Sequence, residues 1–378
     1  MTLQTRHLIL QKDFKGWHTK LLLTISERCP AVKALVLTRL PEGLACSQAD
    51  IKSLGSLVSA PQNLQDLTLN LFCGPPFYYD STSGTYESSH YSFGAQDTSV
   101  PPEPAPRSNQ LHLIFPRELT NKLRRLRSFT YECNRDFGWP TIVHCLGATL
   151  RSLNLSMPLS GSAHLRELAK SSPHLESVAL NVTKSARVTD VSVSELLQIC
   201  GATLKKFAIS DITILAAANA SRVRSFAPLG TRCHRLEELH LGQGVTLLTT
   251  EDLDALSGPS RPPLRSLSLQ SATPTRHPGQ HASQESTEQL LAKLVKSHAS
   301  TLQHISISSN IISPVDDLLT ACAQLADLRS LDVRMSPFVS GPTIKRLLDT
   351  NANLNTYFCL SELRLLNCAG SQQPGCAF

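Results

Sequence analysis

The chain has 378 residues, of which 41% are apolar, 17% charged and only 5% aromatic. That balance excludes a wholly disordered, self-repelling polymer. A net charge of +6, from 36 basic and 30 acidic groups, is too mild to mark a nucleic-acid or anionic-membrane binder by itself. Nor does any run of about 18 apolar residues predict a membrane span.

The opening MTLQTRHLILQKDFKGW has no charged segment followed by a sustained apolar stretch, so no secretory signal is expected. The eleven cysteines are then read as reduced thiols of a cytoplasmic or nuclear protein. They form no C-x-x-C pair and no zinc-like spacing with histidine.

In chain order, the pattern L-x-x-L-x-L recurs. A degenerate first copy is Leu8-Ile9-Leu10, followed by Val32-Leu35-Leu37 and Leu64-Leu67-Leu69. Next come Leu126-Phe129-Tyr131, Leu150-Leu153-Leu155, Leu175-Val178-Leu180 and Leu204-Phe207-Ile209. The series continues with Leu236-Leu239-Leu241, Leu264-Leu267-Leu269, Leu302-Ile305-Ile307 and Leu328-Leu331-Val333. It ends at Leu360-Leu363-Leu365, with Leu354-Tyr357-Cys359 as a competing register. From Leu126 to Leu360 the eight intervals cover 234 residues, a mean near 29, at the long end of the leucine-rich-repeat range.

Segments ahead of these strands carry a helical stripe: Val193-Leu196-Leu197-Cys200, Leu290-Leu291-Leu294-Val295, Leu318-Leu319-Cys322 and Ile344-Leu347-Leu348. Start signals accompany them: Ser192 and Ser194, then Pro314 and Asp316, then Gly341-Pro342-Thr343. Each unit reads helix, short turn, strand. Cys29, Cys145, Cys200, Cys233 and Cys322 recur just before strands, which predicts a small buried slot where each helix ends. The predicted fold is an α/β solenoid of eleven or twelve leucine-rich repeats, with a parallel inner sheet and outer helices.

Two segments break the period. Residues 74–109, rich in Gly, Pro, Ser and Thr, read as a disordered insertion holding four of the six tyrosines. It is either an aromatic, acidic recognition or phosphorylation segment or a tolerated surface loop. Residues 271–286 read as a smaller flexible insertion, whose His277 and His281 are separated by Pro278-Gly279 and so do not predict a metal site. The expected organisation is irregular repeats over 1–73, the insertion 74–109, an array over 110–370 and a disordered tail, 371–378.

No phosphate loop, nucleophile elbow, zinc-protease motif or spaced acid pair occurs, so neither catalysis nor a cofactor is predicted. The run Lys122, Arg124, Arg125 and Arg127 reads as a solvated helix face, since no aromatics are interleaved with it for base stacking. Glu251, Asp252, Asp254, Asp316 and Asp317 read as first-turn helix acids.

Because the apolar residues of each strand point inward, the intervening ones line the concave face. They include Ser152, Asn154, Ser177, Asn181, Lys206, Ser210, Ser268, Gln270 and Ser306. The C-terminal half is richer in charged and hydrogen-bonding groups. Glu238, His240, His304, Asp332 and Arg334 are the predicted contacts for a protein partner.

The segments Cys29–Leu35, SVSELLQICGATLKKFAIS (192–210), LEELHLGQG (236–244) and LRSLDVRMS (328–336) resemble the irregular repeats of F-box/leucine-rich-repeat proteins, particularly the fungal kind. The resemblance implies a ribonuclease-inhibitor-like horseshoe acting as substrate receptor of an SCF ubiquitin ligase. The F-box that would join it to the SCF adaptor is not recognisable. Leu40-Pro41-Glu42-Gly43-Leu44 and Phe115-Pro116-Arg117-Glu118-Leu119 imitate only its opening. Adaptor binding is therefore expected only with an F-box restored upstream, and the chain is expected to be a monomer that binds neither nucleic acid nor membrane. The rival readings are a scaffold or inhibitor unconnected to ubiquitylation, and a leucine-rich GTPase activator supplying an arginine from a repeat edge.

Overall fold

Every second residue of a strand faces the same side, so two apolar residues spaced by one give a strand a single buried face. In Ser152–Ser156, Leu153 and Leu155 are buried and their three neighbours are not, and Ser266–Gln270 repeats the alternation. A computed structural model describes residues 6–10, 24, 28–29, 31–38, 58, 61–71, 117–133, 139–156, 163–181, 187–210, 213–215, 226–242, 249–270, 287–308, 316–334, 341–350 and 364–366. The expected insertions 74–109 and 271–286 and the tail 371–378 lie outside these.

Twelve strands form one sheet, each hydrogen-bonded to the next and all parallel. They are β1 (His7–Leu10), β2 (Ala34–Thr38), β3 (Asp66–Leu71), β4 (Ser128–Cys133), β5 (Ser152–Ser156), β6 (Ser177–Asn181) and β8 (Lys206–Ser210). Then follow β10 (Glu238–Leu241), β11 (Ser266–Gln270), β12 (His304–Ser308), β13 (Ser330–Arg334) and β14 (Arg364–Leu366). The last pairs Leu365 with Val333, as the Leu360-Leu363-Leu365 register predicts. A second, two-stranded parallel sheet joins β7 (Arg187–Thr189) to β9 (Thr213–Leu215), and the leucine pattern does not announce it.

Nine described helices lie between the strands: α1 (Arg117–Leu123), α2 (Trp139–Cys145), α3 (Ala163–Ser171), α4 (Asp190–Cys200) and α5 (Ala227–Thr231). They continue with α6 (Thr250–Ser257), α7 (Thr287–Ser297), α8 (Asp316–Cys322) and α9 (Gly341–Thr350), successive helices packing side by side. Helix stripes and inward strand residues share one core. Leu196, Leu291, Leu294 and Leu318 belong to one buried cluster with Leu153, Phe207, Leu239 and Ile305, each of these eight at most 1% exposed. Burying each such side chain stabilises the fold by about 1.5–3 kcal/mol. This is the leucine-rich-repeat solenoid that the spacing predicts. No described helix is long and apolar enough to cross a membrane.

The turns stitch repeat to repeat. Along the large sheet from β2 to β13, one carbonyl at each strand entry accepts two backbone amides from the next repeat: Arg127 O takes Arg151 N at 2.8 Å and Ser152 N at 3.0 Å. Thr149 and Thr203 sit just before the first leucine of their repeats. Their hydroxyls donate to backbone carbonyls of the preceding unit, Arg124 and Leu175, at 2.8 Å. Gly147 leaves room for this contact, since a Cβ there would stand 2.4 Å from Arg124 O.

Two local readings change. Helix α4 begins at Asp190, so Ser192 and Ser194 are buried inside its first turns rather than ahead of it. The basic run is no helix face: only Lys122 is on α1, while Arg124 and Arg125 occupy the turn and Arg127 enters β4. Lys122 Nζ donates to Pro61 O at 2.7 Å, tying α1 to the preceding repeat.

Candidate functional site

Three rows of outward side chains cross the concave face, fixed by the strand register. The first carries Ser128, Ser152, Ser177, Lys206, Glu238, Ser266, His304 and Ser330. The middle row runs Thr130, Asn154, Ala179, Ala208, His240, Ser268, Ser306, Asp332. In the third register position β12 and β13 pair Ser308 with Arg334. Because these positions alternate with the core, their side chains are held by the sheet without being needed for it.

The five predicted contacts fall on three strands. Glu238 and His240 share β10, Asp332 and Arg334 share β13, and His304 lies on β12. At about 4.8 Å per strand, β10 and β13 stand roughly 14 Å apart. The five therefore border a strip whose floor is Ser266, Ser268, Ser306 and Ser330, rather than meeting at one point. Such spacing suits a contact surface; a reaction centre needs groups within hydrogen-bonding reach of one atom.

His240 is half-buried between Ala208 of β8 and Ser268 of β11. Burial pushes its imidazole below the ordinary range, so the ring is neutral at neutral pH and offers one donor and one acceptor. Gly242 keeps this corner tight: a Cβ there would stand 2.4 Å from the Ser210 Cβ and 3.3 Å from His240 Nε2. Beside the ring, the buried Ser268 Oγ has no hydrogen-bond partner among the described residues. His304 is exposed and Asp332 half-buried.

Sequence reasoning set Lys206 on the concave face but left it out of the partner contacts; its ammonium lies 2.5 Å from Glu238 Oε1 across the β8–β10 pair. Both partners are about half exposed, so the pair contributes little to stability but presents two fixed charges to a partner. Its signal was in the repeat alignment, where Lys206 and Glu238 occupy one slot of adjacent repeats with opposite sign. Farther toward β1, Asn70 Nδ2 donates to Glu132 Oε2 at 2.7 Å, so the third row there is already paired.

The five cysteines before strands are buried, as their positions predict. Burial pushes the Cys200, Cys233 and Cys322 thiols up to about 12, which removes them as nucleophiles near neutral pH. Glu251 and Asp252 do lie in the first turn of α6, whereas Asp254 lies beyond it and pairs with Lys293 Nζ at 2.7 Å. Thr249 Oγ1 accepts from Asp252 N at 3.2 Å while Asp252 Oδ2 accepts from Thr249 N at 2.9 Å, a reciprocal helix cap.

No family model matches the sequence, and no curated protein matches it. Among solved structures the chain is similar to one described as the crystal structure of Rad7 and Elc1 complex in yeast. The TM-score is 0.51 at 16% identity, over 92% of this chain and 72% of that one. At that identity the likeness shows the fold alone.

Proposed function

We propose that this chain is a non-catalytic protein-interaction module whose concave face, from β8 to β13, takes a protein partner. The observation that carries the proposal is the strip itself. Lys206, Glu238, His240, His304 and Asp332 stand partly or fully exposed on a serine floor, and the twelve-stranded sheet holds them in fixed register. Groups fixed before binding lose little side-chain entropy on contact, which is how a rigid sheet turns modest polar contacts into affinity. Arg334 takes the third-row register position on β13, beside Ser308 of β12. The narrower reading, a substrate-recognition part of an SCF-type ubiquitin ligase, is supported by the resemblance of the repeats to F-box/leucine-rich-repeat receptors. The fold likeness to a chain of the yeast Rad7 and Elc1 complex is compatible with it.

Affinity capture with three forms of the chain tests the proposal. Replacing His240, His304 and Arg334 together by Ala should abolish recovery of a partner that the unaltered chain retains. Lys170→Ala with Lys296→Ala, on the helical layer, should leave it unchanged. Equal recovery by both variants would move the binding surface off the concave face. With an F-box fused upstream, addition of the SCF adaptor and its ubiquitylation machinery should modify the captured partner; capture without modification would favour a scaffold or inhibitor.

A further inference from the structure

The edge where the strands begin carries a charge pattern that neither the core nor the concave face uses. In the helix-to-strand turns (28–33, 61–65, 124–127, 146–151, 172–176, 201–205, 232–237, 258–265, 298–303 and 323–329) there are twelve Arg and Lys but only three Asp and Glu. The rest of the chain then holds 24 basic and 27 acidic groups, so the whole positive excess of the protein resides on this edge. The three acids, Glu176, Glu237 and Asp327, all precede β6 or later strands. The turns before β2, β3, β4 and β5 hold none.

The backbone sets these cations in one row. Lys33 N donates to Arg6 O, Gln65 N to Lys33 O, Arg127 N to Gln65 O and Arg151 N to Arg127 O, each at 2.8 Å. Glu176 N on Arg151 O, at 2.7 Å, ends the basic stretch. Five strands at about 4.8 Å make a row roughly 19 Å long. Arg124 and Arg125 flank it in the β4 turn. Among the described residues, no carboxylate pairs with Lys33, Arg124, Arg125 or Arg127, whereas Arg151 shares Glu176 with Lys205 at 3.9 and 2.8 Å.

Helix C-termini converge on this edge, and a cation near each answers its partial negative charge. That accounts for single residues such as Arg151 or Lys205. It does not account for three exposed arginines within four residues that pair with no described carboxylate, the exposed Asp66 at the start of β3 included.

We infer that the row from Arg6 to Arg151 is a docking strip for an acidic, extended peptide segment of a protein partner, separate from the concave face. Its length fits five or six extended residues at about 3.4 Å each. Arginine predominates, and its planar fork takes both oxygens of a carboxylate. Nucleic acid fits less well: its interfaces cover about 600 Å² or more, and this strip stops at Glu176. The four acid-free turns also hold no aromatic side chain for base stacking.

Fluorescence anisotropy of a labelled peptide of about ten residues, alternating Glu and Ser, tests this on the full chain. Arg124→Glu, Arg125→Glu and Arg127→Glu together should weaken binding about tenfold or more. The charge-matched triple Arg232→Glu, Arg261→Glu and Arg329→Glu should change it far less, and His240→Ala with His304→Ala not at all. Circular dichroism checks folding. Should the reversal triple unfold, the milder Arg124→Gln, Arg125→Gln and Arg127→Gln triple should still weaken binding while the chain stays folded. No binding by the unaltered chain, equal loss from the two reversal triples, or tighter binding of a short duplex DNA lost with the same arginines would each overturn the inference.

Discussion

Strand β10 divides its four side chains two and two. Leu239 and Leu241 are 1% and 0% exposed in the shared core, while Glu238 and His240, each one residue away, face the concavity half exposed. The same division runs along the sheet, so folding and recognition occupy opposite faces of one set of strands. The core face is nearly uniform from repeat to repeat because each leucine must fill the same volume between strand and helix. The concave face varies freely, from Ala179 and Ala208 to His240 and Asp332, because among the described residues no second layer packs against it.

The largest predicted effect lies on the core face. Leu239→Ala or Leu153→Ala should lower the stability read by urea unfolding by about 2–5 kcal/mol, since stacked repeats close a cavity only partly. Ser152→Ala, one residue from Leu153, should stay within about 0.5 kcal/mol. Similar losses at both positions would break the division between faces.

Next in size is the cap of α6. Thr249→Ala removes the acceptor for Asp252 N and should cost about 1–2 kcal/mol in thermal unfolding, because the cap is buried. An unchanged midpoint would show that the helix start needs no reciprocal pair.

Acid should weaken the core face through a buried imidazole. His298 is 2% exposed, and its Nε2–H donates to Leu256 O at 3.0 Å. Burial chiefly, with the nearby Arg261 charge, holds its pKa below the usual value. The folded chain therefore binds fewer protons than the unfolded one. This stability is complete above about pH 6.5 and is lost as pH falls through the lower folded value. His240 acts in the same direction on the concave side. A His298→Gln variant should show a flatter decline of unfolding free energy below pH 6.5; an unaltered slope would mean that the ring titrates freely.

The smallest effect is expected at Glu238→Gln. Its pairing with Lys206 is solvent-exposed, so the change should cost between about 0 and 1 kcal/mol while altering partner capture. A stability loss comparable to that of Leu239→Ala would make the concave charges structural.

The core face was legible in the sequence because burial acts through a fixed period. Leu150-Leu153-Leu155 and its counterparts, the helix stripe of Leu290-Leu291-Leu294-Val295 and the buried Cys200 and Cys233 all follow from it. What escaped the sequence depends on which repeats abut. Glu288 caps α8 by accepting from Asp317 N at 2.9 Å, 29 residues away. Lys206 meets Glu238 only because β8 and β10 are neighbours, with β9 turned aside into its own sheet. Arg124 and Arg125 looked like a helix face because the end of α1 at Leu123 is set by tertiary packing. Of the predicted concave contacts, the row position was readable from alternation; the distance between β10 and β13 was not.

One comparison of unfolding free energies tests the division of faces most directly. A variant with His240, Ser268, His304 and Ser306 all replaced by Ala should unfold in urea within about 1 kcal/mol of the unaltered chain, while the single Leu239→Ala variant loses about 2–5 kcal/mol. A four-residue concave variant as destabilised as that single core variant would contradict the account.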